Sequence, residues 1–339
     1  MPFSSIFGHR LVLDLLREAV RRERVPASLV FAGPAGVGKH AVAVALAQAV
    51  NCPNRLKLKG AATGADACGT CSTCVRIARG QHSDVAEIDR GDAASLKIEV
   101  LRERVLDVIG YRPFEASRRV FIIDPADAMT PQAQDALLKT LEEPPPSAIL
   151  ILVTAYPDTL LPTIQSRCRR VRFGPLAETD VARVLVERCH LEPAAAGLLA
   201  ASSGGRVGAA LAAESGSLEA DRDTALGLLT AAARRGSGVG DRLRASATFA
   251  QHEQKRKSRE ALSTRLAILS SLLRDIEAIH AGATGAIANA DLDTALKDLA
   301  RAYDTRRLSD AYSLVTEARA YVDRYASPKI VADWVGVML

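Results

Sequence analysis

A glycine-rich stretch near the N-terminus carries residue types that bind phosphate groups. Residues 29–40 read LVFAGPAGVGKH, and Gly33, Gly38 and Lys39 meet the template G-x-x-x-x-G-K-[ST], with Gly36 inside the loop. Backbone N–H groups of such a loop face phosphate oxygens at the start of a helix, and the lysine contacts the β and γ oxygens. The sequence therefore predicts a loop for a nucleotide such as ATP or ADP.

The last position of this template departs from the pattern. A hydroxyl there would hold a magnesium ion, but the chain has His40. Magnesium prefers oxygen ligands in near-octahedral geometry, so an imidazole cannot replace the hydroxyl without changing the site. We expect the loop to bind nucleotide weakly or without productive magnesium.

A second group of residues has the spacing of a metal site. Cys52, Cys68, Cys71 and Cys74 follow the pattern C-x15-C-x2-C-x2-C, and four thiolates can close a tetrahedral shell around zinc. Such a zinc ion has no open coordination position, so its predicted role is structural. An iron–sulfur cluster is the alternative, although its fourth cysteine normally lies downstream; a redox pair or free thiols also stay open.

Two apolar runs of strand length end in polar residues. Residues 120–123 and 148–154 are predicted to be buried strands, the first followed by Asp124 and the second ending in Thr154. Ligand-facing groups lie at the carboxyl ends of parallel strands, so Lys39, Asp124 and Thr154 are expected to converge on one crevice.

The residue after Asp124 bears on whether this crevice could hydrolyse ATP. Asp124 would steady magnesium through water, but the next position is Pro125, which can neither orient nor deprotonate an attacking water. The alternative is that Asp124 and Asp127 only form a strand-to-helix turn with an aspartate near the helix start.

Arginines form a third set of candidates. Arg167 follows Ser166, and Arg169, Arg170 and Arg172 come directly after it. This cluster is either a solvated basic edge or the source of an arginine presented to the phosphates of a neighbouring chain. Further on, Arg206 could approach a phosphate in the crevice, although a lone arginine at a helix start is usually only solvated.

Composition limits the class of protein. The chain has 339 residues with 48% apolar residues, enough for two or three domains with sizeable cores. No stretch is apolar for long enough to cross a bilayer and no secretory pattern opens the chain, so we expect a cytoplasmic protein with no membrane partner. The net charge of +5 permits an acidic partner such as DNA without requiring one.

Hydrophobic periodicity predicts the elements around these residues. A helix over His9–Arg24 would place Leu11, Leu15, Leu16 and Val20 on one face, as a cover for the adenine or as a simple amphipathic helix. Beyond Gly174 the pattern is helix after helix. The other predicted features are a strand at 85–88, helices at 98–109, 131–143, 178–189 and 193–200, a linker at 234–242 and a basic run at 254–260.

Five segments in this order, GPAGVGKH, the cysteine set, FIIDPADAMT, LLKTLEEPPP and TIQSRC, resemble the bacterial clamp-loader subunits of the AAA+ class. The likeness covers residues 1 to about 210. It implies a RecA-like α/β domain over 1–173, a parallel sheet flanked by helices with a zinc module at 52–74. A small helical lid over 174–238 and an all-α collar over 239–339 would follow.

The resemblance also implies partners and residue roles. Members of the family form a hetero-pentameric ring of gamma or tau motor subunits, delta and a stationary subunit, which loads the sliding clamp onto primed DNA for DNA polymerase III. His40 and Pro125 depart from the motor pattern, so the chain is similar to the stationary subunit. By that likeness Arg167 is an arginine finger for the neighbouring ATP site, Thr154 is sensor 1 and Arg206 is sensor 2. An active ATPase of gamma or tau type and a zinc-dependent DNA-binding protein are the alternatives.

Overall fold

The computed structural model divides the chain into two compact units, Met1–Leu176 and Ala177–Leu339. The predicted third domain, with a boundary at residues 238–239, stays a prediction. The structure describes residues 1–55, 65–91, 93, 95–208, 210–211, 218–234, 238–251, 258–283, 287, 289–323 and 326–339.

The first unit is built on a parallel sheet of five strands in the order β2-β3-β4-β1-β5. This confirms the predicted parallel sheet, and two strands have the predicted bounds. The strands are β1 (Ser28–Ala32), β2 (Val85–Ile88), β3 (Arg119–Ile123), β4 (Ala148–Thr154) and β5 (Arg169–Arg172).

Helices cover both faces of this sheet. Alternate residues of a strand point to opposite faces, so Leu29 and Phe31 enter one apolar core while Val30 and Ala32 enter the other. β1 pairs with β5 in parallel register, with Leu29 opposite Arg169 and Ala32 opposite Arg172. The helices of this unit are α1 (Arg10–Arg21), α2 (Lys39–Asn51), α3 (Ser72–Ala78), α4 (Ile98–Leu101), α5 (Pro131–Glu142) and α6 (Pro162–Arg167).

The predicted buried face of α1 is partly wrong. Leu11 and Leu15 are 88% and 54% exposed, whereas Leu13, Leu16 and Val20 are buried. At about 100° per residue, Leu11 and Leu15 lie on the opposite side of the helix from Leu13. The helix carries two apolar stripes, and only one meets the core.

The helix predicted over residues 98–109 is also irregular. It is α-helical only through α4 and continues as a π-helical turn at Arg102–Leu106. The apolar side chains Leu101, Val105 and Ile109 nevertheless stay buried. Their spacing of four residues keeps them on one face despite the wider turn.

In the described residues of the second unit, the regular secondary structure is helical. Residues 239–242 of the predicted linker belong to a helix, and residues 235–237 and most of the basic run lie outside the described residues. No helix in the described parts of the chain combines the length and apolar character needed to span a membrane. The helices are Glu178–Cys189, Pro193–Ser203, Leu218–Ala233, Val239–Ala250, Ser258–His280, Asp293–Ala302, Thr305–Asp323 and Pro328–Met338.

Candidate functional site

The glycine-rich loop joins β1 to α2 and is fixed at both of its ends. A Cβ at Gly33 would lie 2.1 Å from the carbonyl oxygen of Phe173, so only glycine fits there. The N–H of Gly33 donates to the carbonyl of Thr154 at 3.2 Å. At the other end Gly38 has a φ of +98° and is the N-cap of α2, a conformation that glycine adopts without strain. Gly36 between them also has a positive φ.

Lys39 occupies the centre of this loop. Its side chain is buried, and Nζ donates to the carbonyl oxygens of Gly33 at 2.6 Å and Pro34 at 2.7 Å. The ammonium group is therefore held among the backbone atoms that surround the predicted phosphate position. Helix α2 adds the partial positive charge of its N-terminus at the same place.

His40, the second residue of α2, lies between two carboxylates. Its Nδ1 is 3.0 Å from Oδ2 of Asp124, and its Nε2 is 3.2 Å from Oε2 of Glu87. Hydrogen bonds to Asp124 and then to Glu87 outweigh the effect of burial and raise the pKa of His40 to about 10. The ring is an imidazolium at neutral pH, with one N–H directed at each carboxylate.

This arrangement does not fit the magnesium ion that the loop template implies. The hydroxyl ligand is missing, and the Asp124 oxygen that would face the metal through water faces a cationic ring instead. Magnesium requires six oxygen ligands at about 2.1 Å, and an imidazolium beside the carboxylates would repel it. We derive no catalytic step through magnesium in this chain.

Thr154, at the end of β4, is turned toward Asp127. Its hydroxyl donates to Oδ1 of Asp127 at 2.6 Å, and the backbone N–H of Ala155 donates to the same oxygen at 3.0 Å. Asp127 lies in a short 3-10 turn after β3. Gly33 joins Thr154 to the loop, and His40 joins Asp124 to it, so the predicted residues do meet at the carboxyl edge of the sheet.

Arg167 ends α6 at an exposed position. Its Nη2 donates to Oε1 of Glu142 at 2.6 Å, and its Nη1 donates to the carbonyl of Thr163 at 3.1 Å and to Oγ of Ser166 at 3.4 Å. These contacts fix one orientation of the guanidinium group. The Nε hydrogen and the second Nη2 hydrogen take no part in them.

The arginines that follow Arg167 are solvated. Arg169, Arg170 and Arg172 are exposed on β5, which is an edge strand of the sheet. Arg206 differs from them because its side chain is buried, which argues against the alternative of a solvated arginine. Arg206 belongs to the second unit, and its predicted approach to the crevice stays a prediction.

The four cysteines form a compact cluster beside α3. The sulfur atoms of Cys52, Cys68, Cys71 and Cys74 all lie within 4.8 Å of one another. Four sulfurs bonded to zinc at about 2.3 Å would be about 3.8 Å apart, so the cluster fits a tetrahedral ion. Residues 56–64, between Cys52 and Cys68, lie outside the described residues.

Backbone amides contact sulfur atoms of this cluster, whereas burial raises the pKa of Cys52. The N–H of Cys68 points to the sulfur of Cys52, and the N–H of Cys71 points to that of Cys68, both at 3.3 Å. Burial opposes ionisation of Cys68, but N–H groups of Thr70 and Cys71 outweigh it and lower the pKa of Cys68 to about 6. Burial raises the pKa of Cys74, as expected for a thiol without its metal.

Two residues connect the cysteine module to the N-terminal segment and to α2. Asp66 accepts hydrogen bonds from the backbone N–H groups of Phe3 and Ser4 at 2.8 and 2.9 Å, which holds the N-terminal segment. Gln48, on the buried helix α2, donates to the carbonyl of Cys74 at 2.6 Å. A metal bound in the cluster would therefore stabilise the position of α2, the helix that begins with Lys39.

Comparison with known proteins identifies the family of this chain. A family model described as "DNA polymerase III, delta subunit" matches residues 8–177, and one described as "DNA polymerase III, delta subunit, C terminal" matches residues 241–328. The chain belongs to the DNA polymerase III delta-subunit family. The first match includes the loop, the cysteine cluster and Arg167.

Individual relatives of this delta-subunit family member cover part of the chain. It is 34% identical over 192 residues to DNA polymerase III subunit delta' of Bacillus subtilis, covering 56% of this chain and 54% of the relative. It is 33% identical over 183 residues to subunit tau/gamma of Haemophilus influenzae, covering 54% of this chain and 25% of that relative. The chain thus spans at most about half the length of these two relatives.

Among solved structures, a DNA polymerase III gamma subunit-related protein of Thermotoga maritima is 18% identical in sequence to this chain. It matches 96% of this chain and 98% of its own, with a TM-score of 0.43. At that score the likeness establishes no shared fold.

Sequence reasoning missed three residues of this delta-subunit site. Glu87, Asp127 as the partner of Thr154, and Glu142 have no motif that marks them as site residues. Glu142 belongs to the LLKTLEEPPP segment, and Asp127 was considered only as a turn residue. A charged residue in a short strand was the one available signal for Glu87, because a half-buried carboxylate on β2 needs a partner.

Proposed function

We propose that the chain is a subunit of delta prime type in the DNA polymerase III clamp loader. In this proposal the chain itself does not hydrolyse ATP. In this proposal Arg167 is the arginine finger of the neighbouring motor subunit's ATP site. The assembly, a hetero-pentameric ring with gamma or tau and delta, would load the sliding clamp onto primed DNA.

The observation that carries this proposal is the state of the chain's own crevice. His40 occupies the place of the metal-binding hydroxyl and lies between Asp124 and Glu87. Pro125 stands where a carboxylate would activate water. A site without the metal ligand and without the base lacks the two parts that hydrolysis requires. The family match supports a clamp-loader role for a chain with such a crevice.

Arg167 has the properties that a finger needs. It lies at the end of a short helix, its guanidinium group is oriented by Glu142 and Thr163, and two N–H hydrogens stay outside those contacts. An arginine supplied from a neighbouring chain stabilises charge on the transferred phosphoryl group and increases its rate by roughly a thousandfold or more. A subunit with no hydrolysis of its own can therefore be required for hydrolysis beside it.

The other predicted roles belong to the same proposal. Thr154 would be sensor 1 and Arg206 sensor 2 of an AAA+ domain, and the order β2-β3-β4-β1-β5 is compatible with a RecA-like sheet. The four cysteines would hold a structural zinc ion whose charge balances their thiolates.

The test is single-turnover ATP hydrolysis by the reconstituted complex with clamp and primed DNA. Arg167→Ala should slow hydrolysis at the adjacent site by roughly a thousandfold. Arg170→Ala removes an exposed arginine three residues away and is the matched control, expected to leave the rate unchanged. Normal hydrolysis with Arg167→Ala would refute the finger assignment.

A second candidate function is an active ATPase of gamma or tau type. The identity to tau and gamma subunits and the intact Lys39 favour it. Steady ATP turnover by the isolated chain, abolished by Lys39→Ala, would establish this candidate over the first.

A further inference from the structure

The position of His40 has a consequence for the chain's own nucleotide loop, separate from the role proposed for Arg167. In the loop template this position supplies a metal ligand. Here both ring nitrogens are within 3.2 Å of carboxylate oxygens from two different strands, β2 and the end of β3. Nδ1 is hydrogen-bonded to Asp124 and Nε2 is paired with Glu87, so two carboxylates stabilise the cationic form of the ring between them.

Two cations, Lys39 and His40, face three carboxylates at the crevice, Asp124, Glu87 and Asp127. His40 offsets the pair formed by Asp124 and Glu87. A divalent ion placed between the carboxylates would have to displace the imidazolium and break both of its hydrogen bonds. Coulomb repulsion between two such cations in a half-buried site opposes that exchange.

The phosphate-facing half of the loop is kept. Gly33 has the close approach to Phe173 that only glycine allows, and Gly38 has the positive φ that starts α2 with its amides toward the loop. Lys39 donates to two loop carbonyls, Gly33 and Pro34, contacts that phosphate oxygens could take over. The chain thus retains donors for phosphate while its acceptors for metal are occupied.

We propose that His40 takes the place of the divalent cation in this crevice, so that a nucleoside di- or triphosphate binds at the loop without magnesium. Lys39 and the amides of the loop contact the phosphates, and His40 keeps Asp124 and Glu87 from repelling them. The nucleotide then has a structural role, because neither a metal nor a base is present to promote hydrolysis.

The test measures the binding of ADP and ATP to the full chain by calorimetry, in excess magnesium and in excess EDTA. For the wild type, binding should be weaker in magnesium than in EDTA, because magnesium competes for the nucleotide that the loop binds without it; equal or tighter binding in magnesium would contradict the proposal. His40→Thr restores the hydroxyl and should make binding at least about tenfold tighter in magnesium than in EDTA, which is about 1.4 kcal/mol. His190→Asn is the matched control, since it removes an exposed histidine whose φ of +57° asparagine tolerates.

A measurement without variants keeps the proposal testable even where His40→Thr fails to fold. Manganese replaces magnesium, and its free-ion spin signal is followed as wild-type chain is added to manganese and ADP. The proposal expects the free-ion signal to rise, since the chain withdraws ADP from the metal. A further fall in that signal, equal or tighter wild-type binding in magnesium, or no binding of either nucleotide would overturn it. None of these outcomes changes the expectation for Arg167→Ala in the assembled complex.

Discussion

On the proposed role of Arg167, replacing Glu142 should slow hydrolysis at the neighbouring subunit's ATP site without unfolding this chain. The Arg167–Glu142 pair is at the surface, with 34% and 51% of the side chains exposed. Exposed ion pairs contribute about 0.2–1 kcal/mol, so Glu142→Ala should lower the free energy of unfolding by less than about 1 kcal/mol. The larger effect should be on the orientation of the guanidinium group.

The size of that effect follows from the contacts of Arg167. Immobilising an arginine side chain costs about 1.5–2 kcal/mol of entropy, and Glu142 and Thr163 share the present ordering. If half of this ordering is lost in Glu142→Ala, fixing the Arg167 side chain again during assembly or hydrolysis costs about 1 kcal/mol of free energy. This corresponds to a rate about fivefold lower at the adjacent site.

Single-turnover hydrolysis by the reconstituted complex is again the assay. Glu142→Gln keeps an oxygen acceptor at the same place and should stay within about twofold of the wild-type rate. A rate for Glu142→Ala equal to or above that of the wild type would refute the reasoning, because Glu142 would then restrain the arginine rather than orient it. Chemical denaturation of both variants checks that the fold is retained.

Three further predictions concern stability. Removing metal with a chelator, or Cys74→Ser, should lower the free energy of unfolding by about 3 kcal/mol or more and speed amide exchange at Phe3 and Ser4, read by mass spectrometry. Asp84→Asn should lower the free energy of unfolding, measured with denaturant, by about 3 kcal/mol. The buried carboxylate of Asp84 accepts hydrogen bonds from the N–H groups of Phe114, Glu115 and Ala116. His40→Asn should remove a decline in stability at alkaline pH, which is measured by thermal unfolding at a series of pH values.

The signs of the two pH effects are opposite. Burial alone would raise the pKa of Asp84, but its backbone hydrogen bonds hold that pKa below its usual value. Its contribution is therefore present above about pH 4, the unfolded value, and is lost as the pH falls through the folded pKa. The raised pKa of His40 gives a contribution that is complete below about pH 6.5 and is lost as the pH rises toward about 10.

Each of these predictions can fail clearly. Unchanged exchange at Phe3 and Ser4 after chelation would show that the cluster does not hold the N-terminal segment, with exchange in the second unit as the control. Equal loss of stability by Asp84→Asn at acid and neutral pH would contradict a carboxylate with a lowered pKa. A histidine signal that titrates near pH 6.5 for His40 would contradict the paired imidazolium.

Local patterns in the sequence were enough to predict most strands and helix starts. The run at 148–154 is apolar throughout and became the fully buried β4, because a strand covered on both faces needs no polar alternation. The helix predicted from residue 131 begins there as α5, because proline fits the first position of a helix. The glycine loop also follows from a local pattern, since its template spans eight residues.

Features that depend on distant residues could not be predicted. Glu87 lies 47 positions from His40, and only the parallel pairing of β2 with β3 brings its carboxylate beside Asp124. The buried stripe of α1 depended on which leucines met the sheet, and the sequence offered Leu11 as readily as Leu13. Periodicity describes one helix at a time, whereas these contacts are properties of the assembled sheet.

The pairing of β1 with β5 has a mechanical consequence. β1 leads into Gly33 at its carboxyl end, and β5 begins two residues after Arg167 at its amino end, so these residues lie at opposite ends of one hydrogen-bonded strand pair. Four residues of parallel strand span about 13 Å and resist sliding. In the proposed assembly, a displacement of Arg167 by an adjoining chain would therefore be transmitted along the strand pair to the start of the glycine loop.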